Sequence, residues 1–571
     1  MSGITNILDI AARSLLAEQL GVEVTSHNLA NVNTQGYCRQ KVNYVTANPV
    51  TSPWGLLGTG VKIQGISQAF DPFITAQLNS KSSLLAYYQT LETSLGKTAA
   101  LFNETEAGGI NHLLSQFWEA LHDLADNPSG LGERQALLAR AQTLSEAFNS
   151  RAEGLVQQRL SLYQQIPPVL TEINDHAGRI AELNKEIVAT EANGQQANDL
   201  RDRRQLEISQ LAQLIGISTY TSGDGMVNVT LANGLPLVQD VHSYTLSAGL
   251  TPADTVEIIW AGPGGTTKPV AAADLGGKLG ALVTARDLTI PLYQQKLDQL
   301  ARDLLVAVNT QHSQGVGLNF FDETTGSYAV SDPDAPLSGA GLPFGDRIVS
   351  GSFELHVYRG GEHLAAASIP IDPSFSLNQV VTAINTNPVI GGYVTAAVEN
   401  NSLKIVANAG TDAFAFARDD SNALMALGIN TFFEGSNAYT LGVKVWVLDH
   451  PEGVAAAQID GNGAVAAGDN RNALALAALE DAAVTASGQT LAAAYQNLVT
   501  AVGLEVERAG QQENFYQGLV EQFTQMRNSV SAVSLDEELT NLIKYQRAYQ
   551  AAARLISVAD ELYQTLLAIR R

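Results

Sequence analysis

A single cysteine, Cys38, stands in 571 residues, so no disulfide can form within the chain. Cysteine use this low fits a reducing compartment, or export without reliance on oxidation. Charge is also scarce. Charged residues make up 16%, against about a quarter in ordinary soluble domains, which leaves more apolar and small polar surface for neighbours. Basic residues are the scarcer sign, 33 against 57 acidic, for a net charge of -24. With no basic cluster to override that balance, no nucleic-acid partner is expected. No apolar run approaches the ~20 residues that span a bilayer, so no membrane partner is expected either. Residues 1–6 lack the basic and apolar regions of a cleavable signal peptide. The chain reads as cytosolic, or as secreted by a route that recognises a different signal.

Catalytic chemistry is missing as well. The nine histidines are scattered, and His112 and His122, ten apart around Trp118, share no i, i+4 ligand face. Gly262-Pro263-Gly264-Gly265-Thr266-Thr267-Lys268 lacks the spacing of a phosphate loop. Asp332-Pro333-Asp334 and Asp419-Asp420 have no EF-hand frame. No catalytic, cofactor-binding or metal residue is expected, and the chain does not read as an enzyme.

What is present is a helix–sheet–helix order. Ile4 to Leu29 carries an apolar row at Leu8, Leu15, Val22 and Leu29, with Ile4 and Ala11 beside it. Asn31-Val32-Asn33-Thr34-Gln35-Gly36 then breaks the helix, and Tyr37 to Phe70 reads as extended. Helix is expected from about Asp71 to Ile215, interrupted at Asn127-Pro128-Ser129-Gly130 and ended or kinked at Pro167-Pro168. Alternation at Val227, Val229 and Leu231 predicts strands, with Asp224-Gly225 as a hairpin turn. Arg286 to His312 reads as helix. Residues 315–434 shift toward Gly, Pro, Asp and Val, with strand patterns at Phe353–Val357 and Leu403–Val406 around a helical Leu377–Ile384. Helix is expected to run almost unbroken from Asn472 to the end.

The last 40 residues hold the clearest period. Leu535, Leu542, Tyr549, Ile556 and Tyr563 lie seven apart, and Tyr545, Ala552, Ala559 and Leu566 fill the intervening row. Ser534 and Glu537 have the spacing of a capping box. One apolar row cannot offset the backbone entropy of ordering so long a helix, so it needs another helix, from the N-terminus or from a neighbouring subunit. The expected assembly interface is Ile4, Leu8, Leu15, Val22, Leu29, Leu535, Leu542, Tyr545, Tyr549, Ile556, Tyr563 and Leu566.

Ser26-His27-Asn28-Leu29-Ala30-Asn31-Val32-Asn33-Thr34-Gln35-Gly36-Tyr37 resembles the N-terminal signature of the flagellar rod, hook and hook-associated axial proteins. In that motif Asn28, Asn31, Asn33, Thr34, Gly36 and Tyr37 form the turn. Leu535-Asp536-Glu537-Glu538-Leu539-Thr540-Asn541-Leu542-Ile543-Lys544-Tyr545-Gln546-Arg547-Ala548-Tyr549-Gln550 is similar to the family's signature at the opposite end. Asn198 to Leu206, Gly234 to Val238 and Gly468 to Leu476 resemble the hook-associated members, and Ile543-Lys544-Tyr545-Gln546 looks more like those members than like hook protein. Cys38 departs from the family pattern, which carries a small hydroxyl residue there, and a structural, non-redox role is expected for it.

The resemblance implies a multidomain α+β fold. Both termini would form a discontinuous helical bundle or coiled coil that carries β-rich outer domains inserted between them. The expected division is 1–35 with 530–571 as a terminal coiled-coil assembly domain, and 36–215 with 286–314 and 470–529 as a helical core. A β-rich domain of 216–285 with 315–345 and 435–469, and a small α+β outer insert at 346–434, would complete it. The resemblance further implies a structural part of the flagellum at the hook–filament junction, required for assembly and motility. Its implied partners are further copies in a ring, hook protein below, a second junction protein or filament above, and an export chaperone on the C-terminal helix. Rival readings are another axial protein, such as hook protein, and an adhesin-like binder acting through 315–434.

Overall fold

The computed structural model describes residues 2–52, 54–103 and 108–569, with the side chains of Ser2, Leu566 and Ile569 outside the described part. The fold is multidomain α+β with long helices at both ends. The chain divides into two compact units, each discontinuous in sequence. The first comprises Met1–Ser94, Ser161–Asp287 and Val506–Arg571; the second comprises Leu95–Leu160 and Leu288–Glu505. The divisions at 94/95, 160/161 and 505/506 fall inside helices Pro72–Leu101, Leu131–Glu191 and Leu491–Ser531.

In the first unit the N-terminal helix Ser2–Ala30 ends at the Asn-rich turn, where Gly36 takes a positive φ of 82°. Strand Gln40–Thr46 then pairs antiparallel with Val61–Gln68, with a bulge between Asn43 and Tyr44. A smaller hairpin, Val50–Ser52 with Gly55–Leu57, extends between them. Asp71 caps the next helix by accepting from the backbone N–H of Phe73 and Ile74 at 2.9 and 3.1 Å, with Pro72 at its first position. Beyond helix Asn198–Leu214, strands Ile217–Thr221, Val227–Leu231, Pro236–Gln239 and His242–Ser243 form an antiparallel sheet in chain order. Gly225 has φ 77° in the turn at Asp224-Gly225. A three-stranded meander, Thr245–Leu250, Val256–Ala261 and Thr267–Val270, follows; Gly262 to Thr266 make its second turn, and Thr267 and Lys268 open its last strand.

Pro167 and Pro168 do not end their helix, which runs from Leu131 to Glu191. Both prolines face solvent, while Ile166, Val169, Leu170 and Ile173 on the opposite face are at most 4% exposed. Two missing N–H donors are tolerated where water reaches the freed carbonyls and packing fixes the flanks. Thr171 Oγ1 also donates to the Pro167 carbonyl at 3.1 Å.

The second unit buries Leu113 and Phe117 of helix Ile110–Asp126, Leu137 and Leu144 of Leu131–Glu191, and Leu297 and Leu304 of helix Ile290–His312, each at most 5% exposed, and helix Arg471–Ala477 packs on the first and last of these. Two antiparallel sheets follow. Gly351–Arg359 lies between Glu362–Ile371 and Asp412–Ala417, and Ser402–Ala407 lies between Glu323–Thr325 and Val394–Glu399. Helix Leu377–Asn385 starts with a capping box, in which Ser376 Oγ accepts from Gln379 N and Gln379 Oε1 accepts from Ser376 N. Two buried polar side chains tie this unit together. Arg134 donates to the carbonyls of Pro128, Glu452 and Val454. His312 bridges the Asn430 carbonyl and the Ala455 N–H, both at 2.9 Å.

The helix expected from Asn472 onward is interrupted. Helix Arg471–Ala477 and the 3-10 turn Ala478–Glu480 give way to a loop before Leu491. Thr485 Oγ1 closes that loop by donating to the Gln489 carbonyl and accepting from its N–H, both at 2.9 Å, and Gly488 takes φ 71°.

Candidate assembly site

The terminal helices Ser2–Ala30 and Leu535–Ile569 pair antiparallel. Asn28 meets Glu538 and Gly21 meets Tyr545, so seven residues back on one helix match seven forward on the other. The contact line selects small side chains. A Cβ added at Gly21 would sit 2.8 Å from the Tyr545 ring, and Ala552 and Ala559, each seven further on, are 2% and 0% exposed. Close backbone approach leaves larger side chains at the flanks.

Ile4, Leu8, Leu15, Val22 and Leu29 are partly buried on the first helix, as are Leu542, Tyr545 and Ile556 on the last. Leu535, Tyr549 and Tyr563 remain 48%, 38% and 44% exposed. Leu566 lies on the last helix, but its side chain is outside the described residues.

At the turn, Asn28 is 1% exposed and uses its whole amide. Its Oδ1 accepts from the Tyr37 hydroxyl at 2.7 Å and the Gln40 N–H at 2.9 Å. Its Nδ2 donates to the Gln40 carbonyl at 2.9 Å and to Glu538 Oε2 at 3.0 Å. Arg39 adds two ion pairs, 2.6 Å to Glu537 and 2.8 Å to Glu538, the second with its Nε–H poorly aligned for a hydrogen bond. Glu537, expected in a capping box with Ser534, is therefore engaged from another segment. Asn31 holds the turn by donating to the His27 carbonyl and accepting from Thr34 Oγ1, both at 3.0 Å, while Asn33 points outward. Gly36 lies against Leu206, whose Cβ would be 3.3 Å from an added Cβ.

Helix Asn198–Leu214 completes the cluster. Asp202 accepts from the Cys38 N–H at 3.0 Å and from Gln68 Nε2 at 2.8 Å, and Asp199 accepts from Gln40 Nε2 at 2.7 Å. Asn198 Nδ2 donates to the Ile66 carbonyl at 3.1 Å. Buried Arg204 donates to Asn184 Oδ1 and to the Gly225 carbonyl at 2.8 and 3.0 Å. Burial pushes Asp202 up to about 6. Burial, with Asp202 beside it, pushes the Cys38 thiol up to about 12. A thiol so held is protonated and poorly nucleophilic at neutral pH.

Of the residues that build this cluster, Arg39, Gln40, Glu538, Asp199, Asp202 and Gly21 were not among the expected interface residues. Glu538 had a visible signal, since it precedes Tyr545, Ala552 and Ala559 in the same seven-residue row. A carboxylate in an apolar row calls for a buried partner. Gly21 carried none.

A chain whose terminal helices pair through a small-residue coil, with sheets encoded between them in sequence, has the make-up of a structural subunit. Three family models match it. "Flagellar hook-associated protein FlgK helical domain" covers residues 95–327, "Flagella basal body rod protein" covers 8–37, and "Flagellar basal body rod FlgEFG protein C-terminal" covers 524–569. Flagellar hook-associated protein 1 of Salmonella typhimurium is 27% identical over 99% of this chain and all of that protein. The Bacillus subtilis protein of that name is 24% identical over 98% of this chain and 97% of its own length. The flagellar hook junction protein FlgK from Burkholderia pseudomallei has the same fold, with a TM-score of 0.55 at 20% identity, over 80% of this chain and all of that one. Nearly the whole chain is thus similar to flagellar hook-associated protein 1, and residues 95–327 match the helical domain of that protein.

Proposed function

We infer that this chain is a structural component of the extracellular bacterial flagellum that forms the junction between hook and filament, assembling through its paired terminal helices. One observation carries the assembly reading. After pairing, the last helix still exposes Leu539, Ile543, Leu555, Val558, Leu562 and Leu567 at 46–53%, besides Leu535, Tyr549 and Tyr563. A helix that has buried one face and retains so much apolar surface on others calls for further partners. Those partners are other axial proteins of the flagellum. In this reading copies of the chain form a ring, hook protein lies below, and a second junction protein or filament lies above. An export chaperone covers the last helix beforehand. Residues 1–35 with 530–571 act as the assembly domain, and the 346–434 insert is carried outward.

The test is deletion of residues 535–571 from the full chain. Junction assembly and chaperone retention are lost, while amides of the second unit keep their hydrogen-exchange protection. A truncated chain that still built junctions and restored motility would overturn the reading.

A further inference from the structure

His356 and His363 stand on neighbouring strands of the hairpin formed by Gly351–Arg359 and Glu362–Ile371. A bulge brings them together. Val357 pairs with Ala365 but Tyr358 pairs with His363, so Leu364 is the extra residue and the alternation of the second strand shifts by one. His363 therefore turns to the face that carries His356 and Tyr358, where an unbulged strand would have sent it to the other side. The two nitrogens that meet, His356 Nδ1 and His363 Nε2, lie 3.2 Å apart. Both rings are held in place. His356 Nε2 lies 3.3 Å from Glu354 Oε2, a carboxylate oxygen that only accepts, so this nitrogen carries the proton and Nδ1 keeps its lone pair. The other Glu354 oxygen faces Arg418 at 3.9 Å. The His363 ring meets the Tyr358 ring edge-on at 5.4 Å and lies against the backbone of Gly463, where an added Cβ would be 2.4 Å from it. Gly463 is tied to the same strand, since its carbonyl accepts from the Tyr358 hydroxyl at 2.9 Å.

Distance and tilt separate two readings of the pair. A head-on N–H···N bond of this length would hold the ring centres ~5.5 Å apart. Two imidazoles on one tetrahedral ion, each at ~2.0–2.1 Å, bring their nitrogens to ~3.3 Å and their ring centres to ~5.2 Å. The ring centres are 5.2 Å apart, with the planes at 45°. We propose that His356 Nδ1 and His363 Nε2 form a two-imidazole site for a divalent transition ion of the Zn²⁺, Cu²⁺ or Ni²⁺ class. Imidazole selects these ions over Mg²⁺ and Ca²⁺. Glu354 is the carboxylate behind a ligating histidine that fixes the ring and raises its basicity. His363 binds through Nε2 as its Nδ1–H tautomer, so no proton is gained or lost. Among the described residues no cluster of three His, Cys, Asp or Glu ligands exists, so water completes the coordination and the ion is exchangeable. Bound there, it clamps the two strands across their bulge. All of these residues belong to the second unit and none to the terminal helices.

The test titrates Cu²⁺ into the full chain and reads its electron paramagnetic resonance spectrum. The first equivalent is expected to show splitting from two imidazole nitrogens, and His363→Gln reduces them to one. His363 is partly exposed and glutamine keeps a donor toward His356, so that variant retains the hairpin. Calorimetry with Zn²⁺ gives an independent readout of one ion per chain. Its association constant falls roughly tenfold or more in His356→Gln and His363→Gln, which each lose a ligand, and in Glu354→Gln, which loses the orienting partner. His27→Gln and His176→Gln leave it unchanged. A first Cu²⁺ equivalent with fewer than two nitrogens in the wild type, Zn²⁺ binding that both ligand variants retain, or no binding of either ion overturns the proposal. Each of those results leaves the assembly reading untouched, because that reading is tested by deletion of residues 535–571.

Discussion

Asn28→Asp tests the terminal latch directly. Asn28 Nδ2 lies 3.0 Å from Glu538 Oε2, and both residues are at most 2% exposed. The substitution keeps the acceptor for the Tyr37 hydroxyl and the Gln40 N–H, loses the donor to the Gln40 carbonyl, and turns the donor toward Glu538 into a second carboxylate. Two unit charges ~3 Å apart repel by roughly 5–6 kcal/mol at an effective dielectric near 20. One acid can escape by binding a proton, which at pH 7 costs about 3.7 kcal/mol for a carboxyl titrating near 4.3. The smaller figure sets the ceiling, and it falls to about 1 kcal/mol at pH 5. Asn28→Ala removes the same donor and adds no charge, so its cost is nearly flat over that range. Hydrogen-exchange protection of amides 538–552 and 40–46 measures both variants. The Asp variant is the weaker by several kcal/mol at pH 7 and approaches the Ala variant by pH 5. Adding Glu538→Gln removes the pH-dependent part of the loss, because its amide can donate to the new carboxylate. Equal protection of the two variants at every pH would refute a buried Asn28–Glu538 contact, and with it the closure of the chain ends.

Two further substitutions probe packing and titration. Gly21→Ala places a Cβ 2.8 Å from the Tyr545 ring and loosens the terminal pair by about 1–3 kcal/mol. Gly503→Ala, in a helix with nothing within 4 Å of the new Cβ, stabilises by about 0.5–1 kcal/mol; helix protection in the two variants must move in opposite directions. His312 is held down to about 4 by burial, so it is neutral when folded and binds a proton on unfolding. Its contribution is intact above the unfolded value near 6.5 and is lost as pH falls from there toward 4, by at most about 3 kcal/mol. Exchange of buried amides in Ile290–His312 shows that acid loss in the wild type, and the same measurement on His312→Gln lacks the His312 share.

Local signals gave the element order away. The break at Asn127-Pro128-Ser129-Gly130 separates Ile110–Asp126 from Leu131–Glu191, and the turn at Asp224-Gly225 joins two strands. These features depend on residues within a few positions of one another. Pro167-Pro168 do not end their helix, because their effect depends on which face they occupy, and the buried residues Ile166, Val169, Leu170 and Ile173 decide that from outside the local sequence. The heptad rows located both terminal helices and, in Tyr545, Ala552 and Ala559, the contact line of the last one, but not its phase on the first. Backbone distance sets that phase, and Gly21 against Tyr545 fixes the distance across the chain. The polar cluster was hidden for the same reason. Asp202, Gln68, Cys38 and Glu538 have no shared spacing and meet only after the hairpin and Asn198–Leu214 have folded.

The contact between Asn28 and Glu538 spans 510 positions. Any process that delivers this polypeptide N-terminus first, whether synthesis or threading through a narrow channel, must present Ser2–Ala30 long before its mate exists. The partner of Gly21 arrives only with Tyr545, 524 positions later. Closure is therefore a late event in the subunit's own chronology. The fasteners that complete it, Asn28 and Arg39, wait near the beginning of the chain for carboxylates near its end.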